Sequence, residues 1–222
     1  HYFIIFLLLG IIGFAILGRV TKHKLLAYAV AKPIGLAVIG YPIWLMSSMK
    51  VFNFQNDLII QIFFLIAAIA ATFFILSDPK KYLPDIKGFA IKAVIFELAS
   101  IILFGGYLYI RAFNSNLEGT EKFMDLAMLM SSGKTDFFPF FDFWAAGKDV
   151  NYYYYGFYLF SIPIKLSGIP YAVGYNLALG IILVQCFMIS AAVIYRIIRS
   201  IPAAFFGAAL VTFSGNLHYA WC

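Results

Sequence analysis

The residues best placed to do chemistry lie between Arg111 and Asn151, where Arg111, Lys122, Lys134 and Lys148 face six acids. Glu121 and Asp125 stand four apart, so on a helix they share one face. A pair of carboxylates one turn apart can take and return protons. It can equally be a solvated face whose acids offset the helix dipole, and both readings stand. Phe123, Met124, Ala127 and Met130 give the segment apolar surface, Thr120 is placed to cap its start and Gly133 to stop it. The expected element is an amphipathic helix over 121–130 on a membrane surface, with its acids at the water-facing start.

Downstream, Asp142 stands alone among aromatics in Phe137-Phe138-Pro139-Phe140-Phe141-Asp142-Phe143-Trp144. A carboxylate there must be paired or hydrogen-bonded if it is buried. It is either a turn cap or a contact to a polar ligand. Asn151 precedes Tyr152, Tyr153, Tyr154 and Tyr155, and four successive tyrosines point in several directions, so some must face protein or ligand. Two more ionisable groups, Lys92 and Glu97, fall inside an apolar run. Lys92 is near its end and can snorkel, whereas Glu97 is deeper and needs a partner. Lys32, two turns into an earlier run, is the candidate for a structural ion pair.

The elements that must position these groups are set by composition. Of 222 residues, 64% are hydrophobic and only 12% charged, against roughly half and about a quarter in soluble domains. Too few charges remain to cover a water-facing surface, so lipid is the solvent. Apolar runs cover Tyr2 to Leu17, Leu25 to Met46, Leu58 to Leu76, Phe89 to Ile110, Tyr152 to Ile164, Tyr171 to Tyr195 and Ile201 to Phe213. In hydrocarbon each must satisfy its own backbone, which nearly forces an all-α transmembrane bundle. Six or seven membrane segments are expected, because Tyr152 to Ile164 is short of the ~17 residues a span needs.

The 16 Lys and Arg outnumber the 10 acids, yet they gather in short connections rather than on a helix face or an aromatic platform, so nucleic acid is excluded as a partner. Lys and Arg number three, one and three in the first three connections, which puts the 111–151 loop on the non-cytoplasmic side. If Tyr152 to Ile164 spans, Arg196 and Arg199 fall outside; if it is interfacial or re-entrant, they fall inside. Cys186 and Cys222 make neither a disulfide framework nor a metal spacing. A start at His1 and an end at Trp221-Cys222 are expected of a piece of a longer chain lacking its C-terminal part.

Three stretches carry a family resemblance: Gly119-Thr120-Glu121-Lys122 with Met124-Asp125, the Phe138-Pro139 to Gly147 segment with Asp142 and Trp144, and Asn151-Tyr152-Tyr153-Tyr154. Together with Ala29 to Leu36, Gly40-Tyr41 and Trp44, they resemble the YYY family of uncharacterised bacterial and archaeal membrane proteins. The chain departs from that pattern at Phe123, Phe140 and Phe143, where the family carries proline, while the acids, tryptophan and tyrosines remain. The family in turn resembles the GT-C glycosyltransferases. There an acidic motif follows the first core span, then an amphipathic helix, a Ser-Gly stretch reaching proline, and a helix opening with aromatics. The resemblance implies three accessory helices over 1–88 and the start of a GT-C-like core over 89–222.

The implied function is sugar transfer from a polyprenyl-phosphate donor to an unknown acceptor, at the outer face of a prokaryotic cell membrane. Asp125, with Glu121, would take the acceptor proton, and Asp142 would stabilise the oxocarbenium-like transition state. Arg111 and Lys122 would meet the leaving phosphate, and Trp144, Asn151, Tyr152, Tyr153 and Tyr154 would bind substrate. No metal cluster is visible, although the acids could recruit a divalent ion, Mg or Mn. The alternatives are a transporter or lipid-handling protein using Glu97, Lys32 and a helix broken at Pro33, or a non-catalytic structural subunit.

Overall fold

A computed structural model describes residues 1–117 and 121–214. The described residues are helical, with one isolated antiparallel bridge between Phe141 and Asp149. Five helices are long and apolar enough to cross a membrane: α1 (Tyr2–Val20), α2 (Lys24–Ser48), α3 (Asp57–Ser77), α5 (Ile86–Phe113) and α8 (Tyr171–Ile198). A short α4 (Pro79–Tyr82) turns the chain between α3 and α5. The 13-residue helices α6 (Lys122–Lys134), α7 (Tyr155–Ser167) and α9 (Ile201–Phe213) complete the order. The chain is a polytopic helical membrane protein.

Between lipid-solvated helices the driving force is close packing rather than expulsion of water. The α1–α2 pair shows this. A Cβ added to Gly13 would lie 1.9 Å from the Ala31 carbonyl oxygen, and one on Gly35 would lie 1.9 Å from that of Leu9. The two backbones touch, and only glycine permits it. Pro33 and Pro42 sit inside α2, which stays one continuous helix; the break expected at Pro33 is not present.

Contacts decide how α7 lies. Near its start, Tyr154 accepts a hydrogen bond from Trp44 Nε1, close to the C-terminal end of α2. Near its other end, Lys165 pairs with Asp57, the first residue of α3, at 2.8 Å. Both ends of α7 are therefore held at the same end of the bundle, and the helix does not cross. Buried Tyr158 anchors its middle by donating to the Gly40 carbonyl oxygen at 2.7 Å. Of the two arrangements left open by the sequence, the interfacial or re-entrant one holds. Arg196 and Arg199 then share an end with Lys22, His23, Lys24 and Lys92, all lining one cavity.

One core joins these pieces: Leu9 of α1, Ile39 of α2, Ile60 of α3, Leu129 of α6, Tyr158 of α7 and Ile181 of α8 belong to a single buried cluster. The connection between α2 and α3 is stitched to the chain after α6, where Phe54 N–H donates to the Asp136 carbonyl oxygen at 2.8 Å. Asn53 Nδ2 reaches the Asp136 carboxylate at 2.8 Å. The long polar loop is thus fastened over one end of the bundle.

Candidate functional site

The helix carrying Glu121 and Asp125 runs four residues further than the sequence suggests, to Lys134. Its expected cap, Thr120, lies outside the described residues, and Glu121 occupies the N-cap position without a side-chain cap bond. Gly133 does not stop the helix. It is buried in the last turn, where an added Cβ would fall 2.1 Å from the Tyr171 hydroxyl oxygen. Packing against α8, rather than a turn, requires glycine there.

The face of α6 also differs from expectation. Met128, Leu129, Ser132 and Gly133 are buried against the bundle, while Phe123 is 60% exposed. The stripe continuing toward the helix start through Leu129 contains Asp125, so this acid turns inward instead of standing at a water-facing edge. The bundle itself supplies apolar surface that the sequence pattern assigned to lipid.

Asp125 meets α8 there. Tyr175 donates to its Oδ2 at 3.3 Å, long for an O–H···O bond, whose usual length is ~2.7–2.8 Å. Beside this loose contact opens a cavity of about 470 Å³, lined by Asp125, Leu129, Tyr153, Phe160, Tyr175 and Ile182 among others. Its walls are almost wholly apolar. Leu179 and Ile182, on its α8 side, are 37% and 48% exposed along a membrane-spanning helix. The cavity joins a carboxylate in the loop to the exposed apolar flank of α8.

The tyrosine run divides its tasks. Tyr152 and Tyr153 stack with ring centroids 3.9 Å apart, and the Tyr152 hydroxyl donates to that of Tyr153 at 2.6 Å. That hydrogen bond, partial burial and the nearby charges of Tyr153, Glu121 and Asp125 push the Tyr152 hydroxyl above its ordinary pKa. Of the pair, Tyr153 shares the cavity with Asp125. Tyr154 turns the other way, stacked on Phe138 and bonded to Trp44. Tyr41, Trp44 and Tyr152 to Tyr155 line a second, shallower cavity of about 400 Å³.

Asp142 does not join Asp125. Its Oδ1 accepts from Trp144 N–H at 2.7 Å and Ala145 N–H at 3.0 Å. Its own N–H donates to the Lys148 carbonyl oxygen. The backbone N–H groups of Ala145 and Trp144 hold its carboxyl below the usual carboxylate range. It is a turn cap, and it lines a separate cavity of about 140 Å³ with Met124, Met128, Trp144, Asn151 and Tyr152. α6 contributes to both cavities, with Met124 and Met128 on the Asp142 side and Asp125 and Leu129 on the other. Trp144 is 72% exposed and packs on Phe143.

Arg111 is engaged as a strap. Its Nε donates to Asn176 Oδ1 at 2.7 Å, Nη2 to the Asn116 carbonyl oxygen at 2.8 Å, and Nη1 to that of Asn114. Asn176 follows Tyr175, so Arg111 sits beside the Asp125 contact while tying the end of α5 to α8. Lys122 opens α6 next to Glu121. Among the described residues no three His, Cys, Asp or Glu side chains gather as metal donors.

Within the bundle, the expected pair is formed. Lys32 Nζ lies 2.9 Å from both oxygens of Glu97, with Lys32 side-chain exposure of 9%. Tyr28, which sequence reasoning missed, donates to Glu97 at 2.6 Å. Tyr175 was missed as well. In both cases the signal was an i,i+4 spacing, Tyr28 to Lys32 and Tyr171 to Tyr175, which gathers polar tips on one helix face.

A family described as uncharacterized membrane protein (DUF2298) matches residues 38–221, a region that begins inside α2 and includes the whole loop. No curated protein and no solved structure matches the chain.

Proposed function

We propose a function on the premise that this chain belongs to the DUF2298 family of membrane proteins. The proposed activity is transfer of a sugar from a polyprenyl-phosphate donor to an acceptor hydroxyl at the loop end of the bundle. The observation that carries it is the junction at Asp125: a loosely held carboxylate at the mouth of an apolar cavity that opens along the exposed apolar flank of α8. An isoprenoid chain fits the apolar part, and the reacting headgroup then lies among Asp125, Glu121, Tyr153 and Tyr175. The ordered likeness of this segment to the GT-C enzymes supports the same reading, and under it the helices over 1–88 are accessory and the core begins at 89.

The step assigned to the site is a single displacement. The Asp125 carboxylate takes the proton of the acceptor hydroxyl as its oxygen bonds to the anomeric carbon. The bond from that carbon to the phosphate oxygen breaks, and polyprenyl phosphate leaves with the electron pair, inverting the configuration. Glu121, one turn from Asp125, is assigned the stabilisation of developing positive charge on the sugar, since the Asp142 carboxylate is occupied by the Trp144 and Ala145 N–H groups and lines a different cavity. Asp142 instead fixes the turn that presents Trp144 and Asn151. The exposed faces of Tyr152, Tyr153 and Trp144 offer a platform for the sugar. Arg111 and Lys122 supply positive charge for the leaving phosphate, and no divalent ion is given a step.

The loop is assigned to the non-cytoplasmic side. Nine Lys and Arg (Arg19, Lys22, Lys24, Lys80, Lys81, Lys87, Lys92, Arg196 and Arg199) against two acids, Asp78 and Asp85, fall at the opposite end. Single cysteines replacing Ser115 or Lys148, with Cys186 and Cys222 removed, should react with a membrane-impermeant thiol reagent in intact cells. Reaction only after permeabilisation would reverse the orientation.

The activity is tested in membranes expressing the complete protein, by transfer of labelled sugar from a polyprenyl-phosphate donor. Loss of a positioned base removes about 10²–10⁴-fold in rate, and Asp125→Asn should do so without lowering yield. Lys80→Gln, at the other end, should be neutral. Wild-type transfer by Asp125→Asn and Glu121→Gln alike would overturn the proposal.

A further inference from the structure

We propose that the opposite end of the bundle holds a binding site for a phosphate-bearing anion, supplied by the headgroup of an anionic membrane phospholipid. Lys22, His23 and Lys24 from the α1–α2 connection, Lys92 from α5, and Arg196 and Arg199 from the end of α8 line one cavity of about 200 Å³. Charge asymmetry across a membrane requires only that cations lie on one side. It does not require that three segments, far apart in sequence, bring five Lys and Arg to one hollow. Converging like charges repel, and a bound anion offsets that cost.

Several of these cations are held in place. Lys92 Nζ stands 5.7 Å from the centre of the Tyr195 ring, another cavity wall. Lys24 is tied to the Gly18 carbonyl oxygen. Arg199 occupies the C-cap of α8 with φ 62°, a left-handed conformation in which glycine is the ordinary choice. A bulky cation kept at such a position points to a use for its side chain. The acid on the wall, Asp85, caps α5 by accepting from Gly88 N–H. Leu25, Leu26, Phe89 and Ala192 add apolar wall, a border suited to the glycerol and first acyl carbons. A water occupies about 30 Å³ in the liquid, so the hollow admits a phosphate with its ester substituents. Basic pockets between membrane helices bind such headgroups.

This site is independent of the activity proposed at the loop end, and either can fail alone. The test uses the complete protein in phosphatidylcholine nanodiscs with added phosphatidylglycerol, reading retained lipid by native mass spectrometry. Phosphatidylglycerol should be retained over phosphatidylcholine and saturate. Arg196→Gln and Arg199→Gln should each weaken retention about fivefold, as expected for one surface cation. Lys50→Gln and Lys148→Gln, at the other end, should not. Should the glutamine variants insert poorly, Arg196→Lys with Arg199→Lys keeps the charge and still loses the bidentate fork. Displacement by inorganic phosphate, without preference for phosphatidylglycerol, would keep the anion site and assign it to free phosphate. Equal retention of both lipids with no effect of phosphate would overturn it.

Discussion

Glu97 and Asp125 are both carboxylates facing a tyrosine on a membrane helix, and they are treated very differently. Glu97 receives Tyr28 at 2.6 Å and Lys32 at 2.9 Å on each oxygen. Among the described residues Asp125 receives Tyr175 at 3.3 Å and lines a cavity. A buried charge without partners is costly, so one that is fully paired is explained by the fold. A carboxylate with one long bond beside a cavity keeps acceptor capacity for something that enters. The difference teaches where to look: not at the deepest acid, but at one that keeps acceptor capacity beside a cavity.

The largest effect on stability should therefore fall on the saturated acid. Glu97→Gln leaves Lys32 buried and unpaired, and breaking such a pair costs about 3–5 kcal/mol. The loss should appear as a lower unfolding midpoint in detergent micelles. Lys32→Met with Glu97→Leu should recover most of it, since an apolar pair of similar volume removes both charges. Asp125→Asn should barely move the same midpoint. A silent Glu97→Gln beside an unfolded Asp125→Asn would invert the comparison.

A second probe moves Asp125 without touching it. Gly133 lies two turns along α6, and a methyl group there would collide with Tyr171. Overpacking of this kind costs about 1–3 kcal/mol, so Gly133→Ala should tilt α6 away from α8. Sugar transfer should fall with it, while the cost of Glu97→Gln, measured in the Gly133→Ala background, stays the same. Gly133→Ala combined with Tyr171→Ala should restore part of both losses.

These contrasts mark how far the sequence reaches. The five spans are legible because hydrocarbon demands long apolar runs, and Leu58 to Leu76 can hardly be anything else. The Lys32–Glu97 pair is legible because an isolated intramembrane acid must find a cation. The placement of α7 is not, since its short apolar run suits either arrangement until Trp44 and Asp57 are seen to hold its ends. At the site, the i,i+4 acids were visible, but the inward turn of Asp125 was not. That turn depends on which surface buries Leu129 and Gly133, and this is a property of α7 and α8 rather than of α6. Asp142 was balanced between cap and ligand contact, and only the positions of the Trp144 and Ala145 N–H groups reveal its capping bonds.

Asp142 supplies the smallest effect and the third point of the comparison, a carboxylate satisfied by backbone. Its folded pKa is depressed by the Ala145 and Trp144 N–H groups. Its contribution is therefore present above the unfolded value of about 3.9 and lost as pH falls through the lower, folded one. Hydrogen exchange of a peptide covering 141–149, corrected for intrinsic rates, should be constant from about pH 7 to 5 and should rise below about pH 4. Asp142→Asn keeps an oxygen that can accept both bonds, so at neutral pH it should protect the turn nearly as well, and its protection should not depend on acid. Asp142→Ala should lose protection at every pH. In the transfer assay Asp142→Asn should remain close to wild type, because the turn and not the charge is what the site needs. A loss as deep as that of Asp125→Asn, with the turn still protected, would move Asp142 from the scaffold into the reacting centre.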